Sequence, residues 1–202
     1  DPLPPLAQQQ AIGRLGYGAG VLAKIYLRFP HVFWPEKSKW FGRLPDAPDR
    51  RGTFNTFVTH TEETELPILL SFANGHSAVR YDRELGDEEV KEQALASLRR
   101  MFGHNKVPEP EAFVFPRWLS DPWSMGAYTY PAVGSAPEDR DDHARPLANR
   151  VYFAGEATEP VEYGTVHAAL WSAELAAEAL HRHVSGADPV RGSRPWAGAR
   201  RG

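Results

Sequence analysis

Apolar residues recur every three or four positions in two long segments of the chain, a spacing that predicts helices. The first helix is expected over residues 87–102, where Asp87 is suited to cap the amino terminus and Gly103 to end the last turn. The second helix is expected from Thr165 to about His183. Its predicted buried stripe consists of Val166, Ala169, Leu170, Ala173, Ala177 and Leu180.

Shorter patterns predict a set of strands, a third helix and two surface connections. Runs rich in β-branched and aromatic residues predict strands over 25–29, 53–59, 66–72, 112–118 and 151–154. The run 66–72 is predominantly apolar, which favours burial on both faces, and the run 53–59 is expected to pair with it. A short helix is expected within residues 1–15, with candidate buried positions Leu6, Ile12 and Leu15. The charged or Pro-rich segments 35–52 and 131–148 are expected to cross the surface, the first as a loop or hairpin.

Composition narrows the classes of function without selecting one. Hydrophobic residues make up 42% of the 202 positions, which is enough for a substantial core, and the formal net charge of −3 indicates neither nucleic acid nor an anionic membrane as a partner. The sequence has no cysteine, which excludes disulfides, thiolate catalysis and cysteine-based metal sites. No apolar run approaches the roughly 20 residues of a membrane span, and we expect a cytoplasmic protein. Residues 186–202 are predicted to form a disordered tail.

A glycine and an acidic residue precede the second long helix. Gly155 would let the backbone approach a ligand closely, because no side chain intervenes, and Glu156 follows it directly. Thr165 is suited to cap the helix, whose first N–H groups and positive dipole end stabilise an anionic ligand group. The residues alone leave two interpretations open, an anion-binding site and an ordinary capped helix.

Three motifs resemble those of the flavin amine oxidases, the family that includes polyamine oxidases, monoamine oxidases and lysine-specific histone demethylases. The first is Ala154-Gly155-Glu156 followed by Thr-Val-His at 165–167, although Ala168 and Ala173 stand where glycine is usual. The second is the Trp-x-x-Asp-Pro segment and its following aromatics, over 118–130. The third is the Gly-rich stretch and strand over 16–29 with the Phe-Trp pair at 33–34. The matches span residues 3 to about 181 in the order that the family has.

The resemblance implies an FAD cofactor and assigns a role to each motif. Contacts to the flavin are implied for Gly155, Glu156, Gly164, Thr165, Val166, Trp118 and Trp123. Tyr128 would form one wall of the substrate cavity, and Lys24 would be the catalytic residue, holding a water molecule beside flavin N5. For Trp123 and Tyr130, packing in the core is an alternative interpretation.

The implied reaction is oxidation of an amine C–N bond. Hydride would pass from the carbon next to an uncharged amine to flavin N5, giving an imine that water hydrolyses and, with dioxygen, hydrogen peroxide. Polyamines, simple amines, amino acids and peptidyl lysine all remain candidate substrates. Glu62, Glu63 and Glu65 suit a polyamine, although a solvated loop also explains them.

The resemblance also implies a mixed α/β fold in two parts. Residues 1–130 would form most of a substrate-binding domain around a mainly antiparallel sheet. Residues 131–185 would supply the last strand and helix of a Rossmann-like FAD-binding domain. The Gly-rich strand-turn-helix that binds pyrophosphate is missing. A second chain or N-terminal segment is therefore expected to carry it.

Other classes of protein stay open at this level. A flavoprotein of the desaturase or protoporphyrinogen-oxidase type shares the terminal Gly-Glu motif, but it generally lacks the strand lysine and the Trp-x-x-Asp-Pro segment. A non-catalytic interaction module with the same fold is a second alternative. A metal enzyme is the weakest, because the His-Thr-Glu-Glu sequence at 60–63 lacks the second histidine of a zinc-binding helix.

Overall fold

The computed structural model describes residues 5–17, 22–35, 37–45 and 53–186. It divides the chain into two compact units. The sheet unit comprises residues 16–129, and the helical unit combines residues 1–15 with residues 130–202. Helices and antiparallel strands are both present, which confirms the mixed α/β class.

The described part of the sheet unit is built around five antiparallel strands. These are β1 (Leu22–Arg28), β2 (Trp40–Gly42), β3 (Thr53–Thr59), β4 (Ile68–Asn74) and β5 (Ala112–Val114). Their order across the sheet is β2-β3-β4-β1-β5. A short helix α2 (Thr61–Thr64) joins β3 to β4, and two longer helices follow, α3 (Gly75–Arg83) and α4 (Asp87–Phe102).

One face of the sheet forms the core of this unit. Side chains alternate between the two faces of a strand, and on β1 the buried positions are Ala23, Ile25 and Leu27. These residues belong to the same buried cluster as Val90, Ala94, Leu95 and Leu98 of α4. The opposite face, which we call the outer face, carries Lys24, and Lys24 is exposed.

Most of the predicted elements of the sheet unit are confirmed, with shifts at their ends. Strand β3 has the expected bounds and pairs with β4, and α4 has the expected bounds and buried stripe. Strand β5 is shorter than the predicted run 112–118, since Pro116 cannot donate a backbone hydrogen bond. Asp87 does not cap α4. The cap residue is Gly86, whose N–H donates to Glu89 Oε2 at 3.0 Å, while Asp87 begins the helix.

The described part of the helical unit contains three α-helices. They are α1 (Leu6–Arg14), α5 (Pro137–Ala144) and α6 (Val166–Ser185). A 3₁₀ turn at Glu156–Thr158 lies in the same unit, and a second 3₁₀ turn, at His104–Lys106, lies in the sheet unit. The segment 131–148, expected to be a connection, therefore contains a polar helix. Pro137 at its first position and the Asp139 carboxylate, which accepts from the Ala136 N–H at 2.8 Å, explain where it starts.

Residues 1–15 belong with the helical unit, whereas we expected them in the substrate domain. The buried Gln8 donates through Nε2 to the carbonyls of His143 and Arg145, at 3.0 and 2.9 Å. Arg14 Nε donates to Asp139 Oδ1 at 2.9 Å, and Leu15 forms an isolated antiparallel bridge with Pro131. Ala11 and Leu15 are buried as a result, but Leu6 is 69% exposed, contrary to prediction.

Two further predictions for the helical unit are wrong. The run 151–154 is no strand, since only Val151 forms a bridge, to Leu147, and no longer ladder is present in the described residues. Helix α6 begins as predicted after Thr165, but the expected stripe is not covered, and Ala168 and Ser172 are the buried positions instead.

Helix α6 ends at Gly186, whose left-handed φ of +64° favours glycine. The predicted disordered tail falls almost entirely outside the described residues. None of the described helices is both long and apolar enough to cross a membrane.

Candidate functional site

The residues assigned to the cofactor in the helical unit lie on one turn, one loop and the start of α6. Gly155 has a φ of +134°, a conformation that side chains other than glycine rarely adopt, and its N–H donates to Ser172 Oγ of α6 at 2.8 Å. Glu156 follows and reaches across the loop, where its Oε2 accepts from the Gly164 N–H at 2.7 Å. The turn is therefore hydrogen-bonded both to α6, through Ser172, and to Gly164 in the loop just before α6.

Thr165 caps α6 as the sequence predicts. Its Oγ1 accepts from the Ala168 N–H at 3.2 Å and donates to the Glu162 carbonyl at 2.6 Å. The next residue, Val166, is 88% exposed, so the first turn of α6 is open to solvent. The initial N–H groups of a helix have no partner within the helix and lie at the positive end of its dipole, so this end suits an anionic or electron-rich ligand.

A buried arginine, Arg140 of α5, lies behind the Glu156 turn. Its guanidinium stacks on the Tyr163 ring at 4.0 Å, donates to the Ala157 carbonyl at 3.2 Å, and lies 3.9 Å from Glu156 Oε2. Its cation therefore offsets the negative charge of the Glu156 carboxylate. Sequence reasoning missed it, since an arginine in a polar segment gives no signal that distinguishes it from a surface residue.

Glu159 is a second carboxylate that sequence reasoning missed. It is 2% exposed, and its Oε2 accepts from the Val161 N–H at 2.8 Å and from the Glu162 N–H. These bonds fix the loop between the 3₁₀ turn and α6. The run Glu-Pro-Val-Glu at 159–162 could have indicated such a turn, because acidic side chains commonly accept from N–H groups two or three residues ahead.

His143 of α5 faces the same turn. Burial lowers the pKa of its imidazole below the ordinary histidine value, and the nearby Arg140 cation acts in the same direction. A hydrogen bond with the Ala157 backbone and the Glu156 charge oppose this shift. Its ring lies 5.6 Å from that of Phe153. The folded chain therefore favours the neutral form of the His143 imidazole.

In the sheet unit, Trp118, Trp123 and Tyr128 lie on or next to a loop that we call the tryptophan loop, residues 117–126. Asp121 shapes its turn, because its Oδ1 accepts from the Ser124 and Trp123 N–H groups at 2.7 and 3.0 Å, and these bonds lower the pKa of the Asp121 carboxyl. The Gly126 N–H closes the loop on the Trp118 carbonyl at 2.9 Å. Trp118 is 46%, Trp123 93% and Tyr128 44% exposed, so Trp123 does not pack in a core in this chain.

Two charged side chains clamp the start of the tryptophan loop. Arg117 donates to the carbonyls of Tyr81, Asp82 and Leu85, at 2.6, 2.7 and 3.0 Å, and it also pairs with Asp87. In return, the buried Asp82 accepts from the Leu119 N–H at 3.2 Å and from the Ser120 hydroxyl. Trp118 is thus held from both sides.

Lys24, the predicted catalytic residue, lies on β1 in the same unit. It is exposed on the outer face and stands opposite Phe72 of β4 in the antiparallel register. No ion pair joins it to another residue of the described ranges. The structure therefore gathers the residues that the sequence assigns to the cofactor in the helical unit around one turn, and it places Lys24 and the tryptophan loop in the sheet unit.

The match to a protein family and the matches to individual proteins agree with each other. The family model described as flavin containing amine oxidoreductase matches residues 1–181. Lysine-specific histone demethylase 1 homolog 3 of Arabidopsis thaliana is 38% identical over 155 residues, which cover 77% of this chain and 10% of that protein. Lysine-specific histone demethylase 2 of Homo sapiens is 35% identical over 158 residues, covering 77% of this chain and 19% of that protein.

Solved structures agree at the level of the fold. Putrescine oxidase bound to putrescine superimposes with a TM-score of 0.69 at 24% identity, over 90% of this chain and 39% of the oxidase. Cyclohexylamine oxidase from Brevibacterium oxydans IH-35A gives 0.69 at 23% identity, with the same coverage. The chain thus spans only a minor part of the length of the relatives that it matches. On the family match over residues 1–181 and these identities, the chain belongs to the flavin-containing amine oxidoreductases.

Proposed function

We propose that this chain forms the C-terminal half of an FAD-dependent amine oxidase. The observation that carries the proposal is the arrangement of Gly155, Glu156, Gly164 and Thr165 around the open amino terminus of α6. The residues present fit the cofactor, because the helix end offers N–H donors and positive potential and Val166 leaves it accessible. The family match over the same residues supports the assignment.

The reaction is oxidation of an amine C–N bond to an imine, which water then hydrolyses. When bound, FAD would supply the hydride acceptor, N5, and pass the electrons to dioxygen to give hydrogen peroxide. The chain supplies orientation, a site from which water is excluded, and charge. Lys24 is the residue we assign to hold a water molecule at the reacting centre, since it is an exposed cation with no ion-pair partner among the described residues.

The exposed aromatic residues suit the walls of the site. Trp118 and Trp123 would contact the cofactor and Tyr128 would border the substrate, because rigid aromatic side chains exclude water at little cost in conformational entropy. The uncharged form of the amine is the reactive one, so the rate should rise with pH through the pKa of the bound amine.

A partner segment is needed to complete this enzyme, and α6 offers a surface for it. An exposed apolar stripe runs along α6, and we call it the α6 face. It consists of Val166, Leu170, Ala173, Ala177, Leu180 and Val184. Since the chain spans 39% of the matched oxidases, we assign this face to the segment that carries the dinucleotide-binding turn, as a second chain or an N-terminal extension.

The test is flavin incorporation on co-expression with the N-terminal half of a related oxidase. We expect flavin absorption bands in the co-purified complex and loss of both bands and complex in Leu170→Glu, because a charge on the α6 face opposes burial. Glu174→Gln, on the exposed side of the same helix but outside the α6 face, is the matched control and should leave both unchanged.

The proposal would be wrong if the complex formed and stayed colourless. It would also be wrong if flavin bound equally well to Leu170→Glu, since the α6 face would then have no part in assembly. Flavin bands from the 202-residue chain alone would remove the need for a partner.

A further inference from the structure

Arg140 of α5 is a buried cation to which the proposed function gives no part. Arg140 is 2% exposed, although arginine side chains usually lie at the surface. Removing a cation from water is costly, and replacing a buried ion pair by apolar side chains of similar volume often leaves stability unchanged or improves it. A buried arginine is therefore weak evidence for a role in stability alone, and its contacts indicate what else it does.

Arg140 contacts both ends of the loop that joins the Glu156 turn to α6. At the first end, it donates to the carbonyl of Ala157, the residue after Glu156, at 3.2 Å. At the second end, its guanidinium lies 4.0 Å from the centre of the ring of Tyr163, the residue before Gly164. A planar guanidinium can donate a hydrogen bond and stack on a ring at the same time, which suits Arg140 to this position better than a lysine.

The hydrogen bond that closes this loop lies beside the same guanidinium. Glu156 Oε2 accepts from the Gly164 N–H at 2.7 Å, although the two residues are 8 positions apart. The same oxygen lies 3.9 Å from Arg140 Nη1. A cation at this distance attracts the carboxylate oxygen without replacing the backbone donor. Arg140 thus acts on the acceptor by charge and on the segment that carries the donor by stacking.

The charges of the loop explain why a cation is useful at this point. The run 156–164 contains three carboxylates, Glu156, Glu159 and Glu162, and like charges repel one another. His143 senses two of the charges in this region. Burial is the main cause of its lowered pKa, the Arg140 cation lowers the pKa further, and the Glu156 charge raises it. Arg140 therefore offsets negative charge where the loop closes.

We propose that Arg140 is a positioning residue of the candidate cofactor site. Its cation keeps Glu156 bonded to Gly164, and its stack on Tyr163 keeps Gly164 in place. The Gly155 turn and the capped start of α6 are thereby held as one surface, which matters because binding groups must be fixed closely to be effective. The inference rests on the proposed function and adds a residue that acts through Glu156 and Gly164.

The first experiment is amide hydrogen exchange of the isotope-labelled, flavin-free 202-residue chain, followed by NMR. Arg140→Met should speed exchange at Gly164 at least about ten-fold, because it removes the charge and the stack together. The Gly155 N–H, which donates to Ser172 Oγ at 2.8 Å, serves as an internal reference and should change by less than about two-fold. A general loss of structure in the helical unit would speed exchange at both glycines.

Arg145→Met is the matched control. Arg145 directly follows α5, it pairs with Asp142 at 2.8 Å, and its side chain is 72% exposed. Exchange at Gly164 should therefore stay at the wild-type rate in this variant. An unchanged rate at Gly164 in Arg140→Met would overturn the proposal.

A double variant tests whether Arg140 and Glu156 act on the same bond. Glu156→Gln replaces the charged acceptor by a weaker neutral one and should speed exchange at Gly164 at least about three-fold. Adding Arg140→Met to it should change the rate by less than about two-fold more, since coupled residues are not additive. Fully additive effects would overturn the proposal.

Tyr163→Leu keeps the cation and removes the ring on which it stacks. It provides a second test if Arg140→Met is poorly folded, and it should speed exchange at Gly164 at least about three-fold. An unchanged rate would then overturn the proposal.

The second experiment measures flavin content in the complex co-expressed with the N-terminal half of a related oxidase. Arg140→Met should lower the flavin content at least about three-fold, and Arg140→Lys should recover part of it, because lysine keeps the charge without the stack. Wild-type flavin content in Arg140→Met, despite faster exchange at Gly164, would overturn the proposal. A colourless wild-type complex would contradict the proposed function instead, and the exchange rates, measured without flavin, would still decide whether Arg140 holds Glu156 on Gly164.

Discussion

Glu156, Glu159 and Asp121 each accept hydrogen bonds from backbone N–H groups two to eight residues farther along the chain. Thr165 does the same for the Ala168 N–H. Hydrogen bonds to charged acceptors are stronger than those between neutral groups, and this matters most in loops that bury few apolar side chains. The candidate cofactor site and the tryptophan loop therefore depend on single acidic side chains more than on packing.

At the same scale, we expect Lys24→Met to slow one half-reaction of the assembled, FAD-loaded enzyme at least about ten-fold, equivalent to roughly 1.4 kcal/mol of barrier. The reason is loss of the ammonium that we assign to hold water at the reacting centre. Flavin content should not change, since Lys24 is not among the residues that we assign to hold the cofactor. Stopped-flow absorbance separates anaerobic flavin reduction from reoxidation by dioxygen.

The matched control for Lys24 is Arg28→Met, which removes a cation from the same exposed side of the same strand. Its partner is Glu111, at 3.4 Å, and both side chains are largely exposed. Rates close to wild type are expected for it. If Lys24→Met left both half-reactions unchanged, Lys24 would have no role in the chemistry.

At the scale of elements, prediction succeeded where one pattern decided the outcome. The heptad-like spacing of α4 and the β-rich run of β3 gave their bounds correctly, because in both cases the apolar side packs within the same unit. The stripe of α6 was equally clear in the sequence, but its side chains are exposed in this chain. Periodicity reports which side of a helix is apolar, and the identity of the covering surface depends on residues elsewhere.

Dependence on residues elsewhere in the chain also explains the features that the sequence did not predict correctly. The run 151–154 has strand composition, but a strand needs a neighbour to pair with, and the described residues provide only the bridge to Leu147. The clamp formed by Arg117 and Asp82 joins positions 35 residues apart through a side chain and a backbone carbonyl. Spacing along the sequence carries no information about such contacts. Of the candidate site, the motif residues could therefore be predicted, and Arg140, Glu159 and the clamp could not.

The clamp gives a prediction at this scale. Arg117→Met should lower the free energy of unfolding by about 2–4 kcal/mol, because it removes the donor to the Tyr81, Asp82 and Leu85 carbonyls and the partner of Asp87. Urea unfolding followed by circular dichroism measures the loss. In the assembled enzyme, the flavin spectrum should shift as well, since Trp118 would no longer be held.

Arg80→Met is the control for the clamp. Arg80 is an arginine of α3 whose partner, Glu84, is 3.8 Å away, and both side chains are more than half exposed. Such surface pairs contribute about 0–1 kcal/mol. A loss no greater for Arg117→Met than for Arg80→Met would show that the clamp does not stabilise the sheet unit.

At the scale of the whole molecule, the stability of the helical unit should depend on pH through His143. Its pKa in the folded chain is lowered by burial, so the unfolded chain binds a proton more readily. The stabilisation is therefore present above the ordinary histidine pKa of about 6.5 and is lost as the pH falls below it. Thermal unfolding midpoints should decrease between pH 7.5 and pH 5.5.

His143→Gln removes this titration and should flatten the decrease over the same pH range. Asp139, whose pKa is lowered mainly by its hydrogen bond from Arg14, loses its stabilising charge only in more acidic solution, below about pH 4. The two effects are thus separated by pH. An unchanged slope in His143→Gln would exclude His143 as the source.

The bridge between Leu15 and Pro131 has a consequence for how such a chain can change over evolution. Paired residues in an antiparallel bridge have Cα atoms only about 5 Å apart, so the chain leaves the helical unit and returns to it at nearly the same point. The sheet unit, residues 16–129, is in that sense an insertion whose two ends meet. An inserted unit whose two ends lie this close together can be lengthened, exchanged or replaced by a tight turn without changing the positions of α1, α5 and α6. The two units are then parts of the chain that can vary independently in length and sequence.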